Sequence, residues 1–376
     1  MIHSVDFNST EELFLTNTFF IDTKSEEPIQ PCKYIVGKKP IGEGSYSSIF
    51  ECKSSLTGCH YAVKRYNKKF MRGMESMLQH EFAVLKSISI NNDNILTLID
   101  YFETKNHIYL VTDLADGDLF DRIFASRKLP ESEAREIAYS LVSTLAYLHD
   151  NSIVHRDIKP ENILFQLSSA LKILLGDFGL ARILQEDELL YEKSGTLSYM
   201  APETVQRTAS SFPSDIWAVG VTIYFMLCGY HPFDCELDEE TVEAITNADF
   251  RFEPHEYWGH ISQDAKNFIR CCFTSKPQMR PSAKQLLSHA FINDLGIRDR
   301  LINLTLSSTE SVIIRSRKNS TVEGATMLGI YCDKPELVSE FNTPILSRNQ
   351  SCESLVESKI NWKYERPIHV SSQTHL

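Results

Sequence analysis

Residues 153–165 read IVHRDIKPENILF, and residues 174–181 read LLGDFGLA. In the first stretch Asp157 can accept a hydrogen bond from an attacking hydroxyl, while Lys159 can neutralise a negatively charged group in transfer. Asn162, five residues after Asp157, and Asp177 in the second stretch are hard oxygen donors of the kind that hold Mg2+. Transfer of a phosphoryl group needs mostly positioning and charge neutralisation, and these four residues supply both.

Working back along the chain, IGEGSYSSI at 41–49 sets Gly42 and Gly44 between two runs that read as strands. That order rules out a dinucleotide-binding fingerprint, which needs a strand followed by a helix. A glycine-rich hairpin instead lets backbone N–H groups approach phosphate oxygens, although an ordinary hairpin has the same pattern. Lys64, in YAVK on a third strand, tips the balance together with Glu81. The segment MESMLQHEFAVLKSI, 74–88, predicts a helix that carries Glu81 and repeats Met77, Phe82, Leu85 and Ile88 near helical spacing. A lysine between a carboxylate and a polyphosphate stays charged and can orient the α- and β-phosphates.

In order and spacing, the glycine loop, YAVK, HRD, DFG and the APE at 201–203 resemble a eukaryotic protein kinase, over about residues 34–292. KPEN around Lys159 and GTLSY around Thr196 are similar to the serine/threonine branch. LVTDLADGDLFDRI, CGYHPF and YWGHISQDAKNFI resemble its calcium/calmodulin-dependent group. The resemblance implies an α+β, bilobal fold: a small antiparallel N-lobe with one main helix and the hinge over 34–114, then a larger helical C-lobe over 115–292. Strand-rich residues followed by helix-rich ones fit that order.

It also implies ATP and Mg2+ as cofactors, protein substrates with Ser/Thr acceptors, and a monomer. Catalytic roles fall to Lys64, Asp157, Lys159 and Asn162, and metal binding to Asn162 and Asp177. The nucleotide site comprises Ile41, Gly42, Glu43, Gly44, Ser45, Tyr46, Ser47, Ser48, Ile49, Ala62, Lys64, Glu81, Asp113, Ala115 and Asp118. Asp118 and Glu161 form, by the same resemblance, an acidic site for an arginine three residues before the acceptor. Thr112 gates the pocket behind the adenine, Asp215 in DIWAVG anchors the catalytic loop, and Arg280 in MRPS pairs with Glu203. The alternative is a non-catalytic scaffold on the same fold, against which stands the joint presence of Lys64, Asp157, Asn162 and Asp177.

Three departures from the family pattern bear on function. Ser47 replaces the third glycine of the loop and lacks glycine's freedom at positive φ, so altered nucleotide affinity is expected. DLADGDLF has one glycine where the family usually has two, which leaves the placement of Asp118 open between the ribose and a substrate arginine. Glu192 stands three residues before Gly195, where the family usually carries the Ser/Thr whose phosphate pairs with the HRD arginine, here Arg156.

Composition bounds the rest. A net charge of −12 argues against binding along nucleic acid, which needs a surplus of Lys and Arg. Residues 293–376 hold ten basic and ten acidic side chains, so the acidic excess belongs to the preceding part. Both flanks, 1–33 and 293–376, are polar and lack sustained periodicity; a flexible extension and a loosely ordered, regulatory tail are expected. Ser320 and Ser351 in the tail sit in basophilic patterns, and VIIRSRKNS at 312–320 is basic but has no aromatic anchor for calmodulin.

The nine cysteines include no C-x-x-C pair, Cys271 and Cys272 read as buried thiols, and the acidic start MIHSVDFNSTEEL has no secretory character. A reducing compartment, cytoplasm or nucleus, follows as the expectation. The apolar run at 216–230 is shorter than the ~20 residues of a membrane span and reads as a core helix, so no membrane partner is expected.

Overall fold

The first sheet is antiparallel, in the order β1-β5-β6-β4-β3-β2, and consists of β1 (His3–Ser4), β2 (Tyr34–Glu43), β3 (Ser47–Ser54), β4 (His60–Asn67), β5 (Leu98–Glu103) and β6 (His107–Thr112). Helix α1 (Glu75–Ile88) connects β4 to β5. This computed structural model describes residues 3–4, 33–44, 47–73, 75–88, 92–104, 106–166, 171–185, 188–208 and 210–293. Ser45, Tyr46, the Met77 side chain, the basic stretch at 312–320, and Ser320 and Ser351 lie outside what is described.

Alternation along the strands divides the sheet into two faces. Phe50, Cys52, Val63, Phe102 and Val111 pack on one, while Tyr66, Ile108 and Leu110 join Leu78, Phe82, Leu85 and Ile88 of α1 on the other. Of the expected stripe, Phe82, Leu85 and Ile88 are buried, and Leu78 joins them. Because Lys64 is two residues from Tyr66, it shares the helix-facing side of β4.

The second unit begins with β7 (Ala115–Asp118), α2 (Leu119–Ser126) and α3 (Glu131–Asp150). Pro130 precedes α3, whose Ala134, Ile137, Ala138, Leu141, Leu145 and Leu148 are fully buried, as the 3.6-residue spacing predicts. Short strands β8 (Ile153–Val154), β9 (Ile163–Gln166), β10 (Ile173–Leu175) and β11 (Arg182–Ile183) follow. In one small sheet β9 lies between β7 and β10, and in the other β8 pairs with β11.

The helices α4 (Pro202–Val205), α5 (Pro213–Cys228), α6 (Asp238–Asn247), α7 (His255–Trp258), α8 (Gln263–Cys272) and α9 (Ala283–Leu286) complete the unit. From Ser214 to Cys228 every residue of α5 is buried, so the apolar run is the central helix of this unit. Among the described residues no helix is long and apolar enough to cross a membrane. The sequence reading omitted α6, whose polar stretch DEETVEAITN buries only Thr241 and Ile245. The fold is thus α+β and bilobal.

Candidate active site

The HRD segment lies between β8 and β9 and is held from beneath by α5. Asp215, in the first turn of α5, accepts hydrogen bonds from the backbone N–H of His155 at 2.9 Å and of Arg156 at 2.8 Å. His149, at the end of α3, sits 3.0 Å from the same carboxylate. Burial opposes the charge on Asp215, yet His149 and His155 outweigh it and hold the carboxyl below its usual range.

His155 is fully buried, with Nε2 3.1 Å from the Gly176 carbonyl and Nδ1 accepting from the Asp157 N–H at 3.3 Å. Those partners assign the proton to Nε2. One imidazole thereby ties the HRD turn to the DFG turn. Arg156 (φ 71°) and Asp177 (φ 55°) both occupy the left-handed region, which costs a non-glycine residue of order 1–3 kcal/mol and persists only where the surroundings enforce it.

These restraints aim Asp157 at the cleft. Its Oδ2 lies 2.9 Å from Lys159 Nζ and accepts from Asn162 Nδ2 at 3.0 Å. Thr196 donates to Oδ1 at 3.4 Å and accepts from Lys159 Nζ at 2.8 Å. Asn162 also donates to the Asp157 carbonyl at 2.7 Å, so its side-chain oxygen is the group it can offer to a cation.

Across the cleft, Lys64 Nζ lies 2.9 Å from Glu81 Oε1 and 2.8 Å from Asp177 Oδ1. Burial disfavours the ammonium most, but Asp177 and Glu81 together raise its pKa well above the ordinary lysine value. Lys64 in turn drives the Asp177 carboxyl down to about 2, against the opposing effect of burial. Asp177 is therefore an ionised oxygen donor near neutral pH. An ionised carboxylate and an amide oxygen form a hard donor pair that fits Mg2+.

Tyr66 was not singled out in the sequence. Its hydroxyl donates to Glu81 Oε2, so Glu81 is gripped on both oxygens. The signal for it was the two-residue period that puts Tyr66 on the same strand face as Lys64.

The residues expected at the nucleotide fall into three groups. Ile41, Gly42 and Glu43 end β2, with Gly42 opposite Ile49 and Glu43 opposite Ser48. The Gly44 N–H donates to the Ser47 carbonyl at 2.8 Å. Ser47 is an extended strand residue paired with Tyr66, so serine strains no backbone there. Ala62 pairs with Thr112, which is buried.

Asp113 accepts from the Thr97 N–H at 3.2 Å, and Ala115 pairs with Gln166. Between Ala115 and Asp118 the register slips, and Gly117 at φ +82° supplies the turn that a side chain would resist. Asp118 pairs with Leu164 and caps α2, its Oδ1 accepting from the Asp121 N–H at 2.8 Å. Near it, the turn Pro160–Asn162 carries Glu161, whose buried Oε2 has no hydrogen-bond partner among the described residues. The Tyr199 hydroxyl is raised well above its usual pKa by burial first, and then by the charges of Glu161, Asp157 and Asp234.

The loop from DFG to APE closes the site. Glu203 and Arg280 form a buried bidentate pair at 2.8 and 3.1 Å, and Arg280 also donates to the carbonyls of Pro213 and Thr274. Earlier in the loop, Arg156 Nη2 lies 3.4 Å from Glu192 Oε2. Gly195 has φ +95°, and a Cβ there would come within 2.7 Å of the Arg156 carbonyl oxygen.

This geometry agrees with comparisons to known proteins. Residues 35–292 match the protein kinase domain. The calcium/calmodulin-dependent protein kinase cmkB of Emericella nidulans is 49% identical over 285 residues, covering 73% of this chain and 70% of the relative. The calcium/calmodulin-dependent protein kinase type I of Schizosaccharomyces pombe is 40% identical over 276 residues, 72% of this chain and 82% of the relative. The serine/threonine-protein kinase DCLK1 of Rattus norvegicus is 38% identical over 280 residues, 73% of this chain and 63% of the relative. With its catalytic loop, paired lysine and acceptor loop joined in one cleft, the chain belongs to the protein kinase family, as a serine/threonine kinase of the group that includes the calcium/calmodulin-dependent enzymes.

Proposed function

We propose that this kinase transfers the γ-phosphate of Mg-ATP to Ser/Thr hydroxyls of protein substrates, with a preference for arginine three residues before the acceptor. The observation that carries the first half is the triangle Lys64–Glu81–Asp177, closed at 2.9 and 2.8 Å opposite Asp157 and Asn162. Lys64 orients the phosphates, Asp157 receives the proton of the acceptor hydroxyl, and Lys159 stabilises the group in flight. Asn162 and Asp177 would hold Mg2+, which when bound neutralises phosphate charge.

Support for the arginine preference comes from Glu161. A buried carboxylate oxygen without a partner is costly, and a guanidinium brought by the substrate would satisfy it. Asp118 lies on the adjoining strand and keeps capping α2 while it contributes charge.

A peptide-library assay with Mg-ATP tests both halves on the full chain. Ser/Thr peptides should be phosphorylated, and Asp157→Asn should lower kcat by roughly 10²–10⁴-fold without changing the melting temperature. Replacing the arginine should cost wild type at least about tenfold in kcat/KM and cost Glu161→Gln much less. Equal rates on both peptides would remove the specificity claim, and no turnover at all would favour a scaffold.

Calmodulin is the regulatory partner to which the relatives' names point. The basic stretch at 312–320 offers no aromatic anchor for it, so a calcium-dependent pull-down of the full chain decides whether calmodulin binds. We place the enzyme in the cytoplasm or nucleus on the strength of its composition and cysteine usage, and as a monomer by its resemblance to the family.

A further inference from the structure

The loop between DFG and APE is tethered at several points by the protein's own groups. Leu190 and Ser210 exchange two backbone hydrogen bonds, at 2.9 and 2.8 Å. Glu192 meets Arg156, Gly195 packs on the Arg156 carbonyl, and Thr196 engages Lys159. Four contacts thus span residues 190–196, and three of them end on the catalytic loop.

The Arg156–Glu192 contact is asymmetric. The Arg156 side chain is 4% exposed, whereas Glu192 is 71% exposed. A buried guanidinium needs a counter-charge, and its immediate surroundings sharpen that need. Burial depresses the Arg156 pKa most, Arg182 depresses it further by repulsion, and Glu192 and Asp215 oppose both. His80 on α1 belongs to the same cluster: its pKa is lowered by burial, then by Arg182 and Arg156, while Glu192 raises it. The Arg156 guanidinium and the His80 ring therefore share Glu192 as a counter-charge, while Arg182 adds to the positive charge around them.

We infer that Glu192 is a built-in counter-ion that keeps the acceptor loop in its working arrangement, so that the kinase acts without phosphorylation of this loop. Arg156 is bonded through its backbone to Asp215 and is followed in the chain by Asp157, so a displaced guanidinium strains the residue that faces the acceptor. Glu192 is a positioning residue: it touches no reacting atom and acts through Arg156. The inference rests on the proposed phosphotransfer and adds that no upstream kinase is needed at this loop.

The test uses full-length protein stripped by phosphatase, with loss of phosphate verified by intact mass. Phosphatase is removed before the peptide assay, and ATP affinity is measured separately. The stripped wild type should turn over from the first minutes without a lag. Glu192→Gln should lower kcat about tenfold while ATP affinity and melting temperature hold, since one charge-assisted contact at an exposed site is lost. In an Arg156→Gln background the same change should alter kcat by less than about twofold, because its partner is gone.

A stripped wild type that is silent until the loop is phosphorylated overturns the inference and leaves phosphotransfer standing. So does a Glu192→Gln enzyme with the wild-type kcat. No turnover in either the stripped or the phosphorylated form overturns phosphotransfer and this inference with it.

Discussion

Two glutamate–arginine pairs hold the same stretch of chain, and they differ in almost every physical respect. Glu203–Arg280 is bidentate and sealed, its side chains 3% and 0% exposed, with the guanidinium also bonded to two carbonyls and lying 5.1 Å from the Trp217 ring centre. Glu192–Arg156 is a single contact with one partner in solvent. Removing half of a sealed pair strands a charge in a low-dielectric interior, while removing Glu192 opens the contact to solvent and leaves Asp215 as a counter-charge for Arg156. The first pair belongs to folding and the second to the geometry of the site.

That contrast can be broken by substitution. Arg280→Ala should destabilise the protein by about 3–5 kcal/mol in urea unfolding, because Glu203 is left buried and unpaired. Stability within about 0.5 kcal/mol of wild type would show the pair to be incidental. Gly195→Ala sits between the extremes. Its positive φ and the Cβ contact with the Arg156 carbonyl should cost about 1–3 kcal/mol and lower kcat, since the Arg156 turn must yield. The smallest effect is expected for Glu192→Gln, whose unfolding free energy should stay within about 0.5 kcal/mol of wild type even as its activity drops. A stability loss as large as that of Arg280→Ala would erase the distinction between the pairs.

The sequence made one of these pairs easier to read than the other. Glu203 and Arg280 fall in APE and MRPS, which carry their pairing with the family pattern. Glu192 is legible only as a departure, and its partner becomes plain once the fold sets the loop over Arg156. Elsewhere the legibility follows burial. The 3.6-residue stripe of α3 and the uniform run of α5 announce themselves because nearly every apolar side chain there is buried.

Helix α6 buries two residues of ten and gave no such signal. Asp118 was ambiguous for a different reason. A carboxylate before an apolar run can cap a helix or face a ligand, and the cap became visible only with the bulge at Gly117. Tyr66 was overlooked because its partner, Glu81, is close in space through the sheet and helix, not through any local motif.

The Asp215 carboxylate has one more consequence. The amide protons of His155 and Arg156 are donated to a side chain on a helix with no solvent-facing side. For deuterium to replace them, the turn must lift off this buried carboxylate. Both amides should therefore exchange far more slowly than those of an exposed loop. A segment that is a loop by shape is fastened, at its backbone, to the interior of the lobe that carries it.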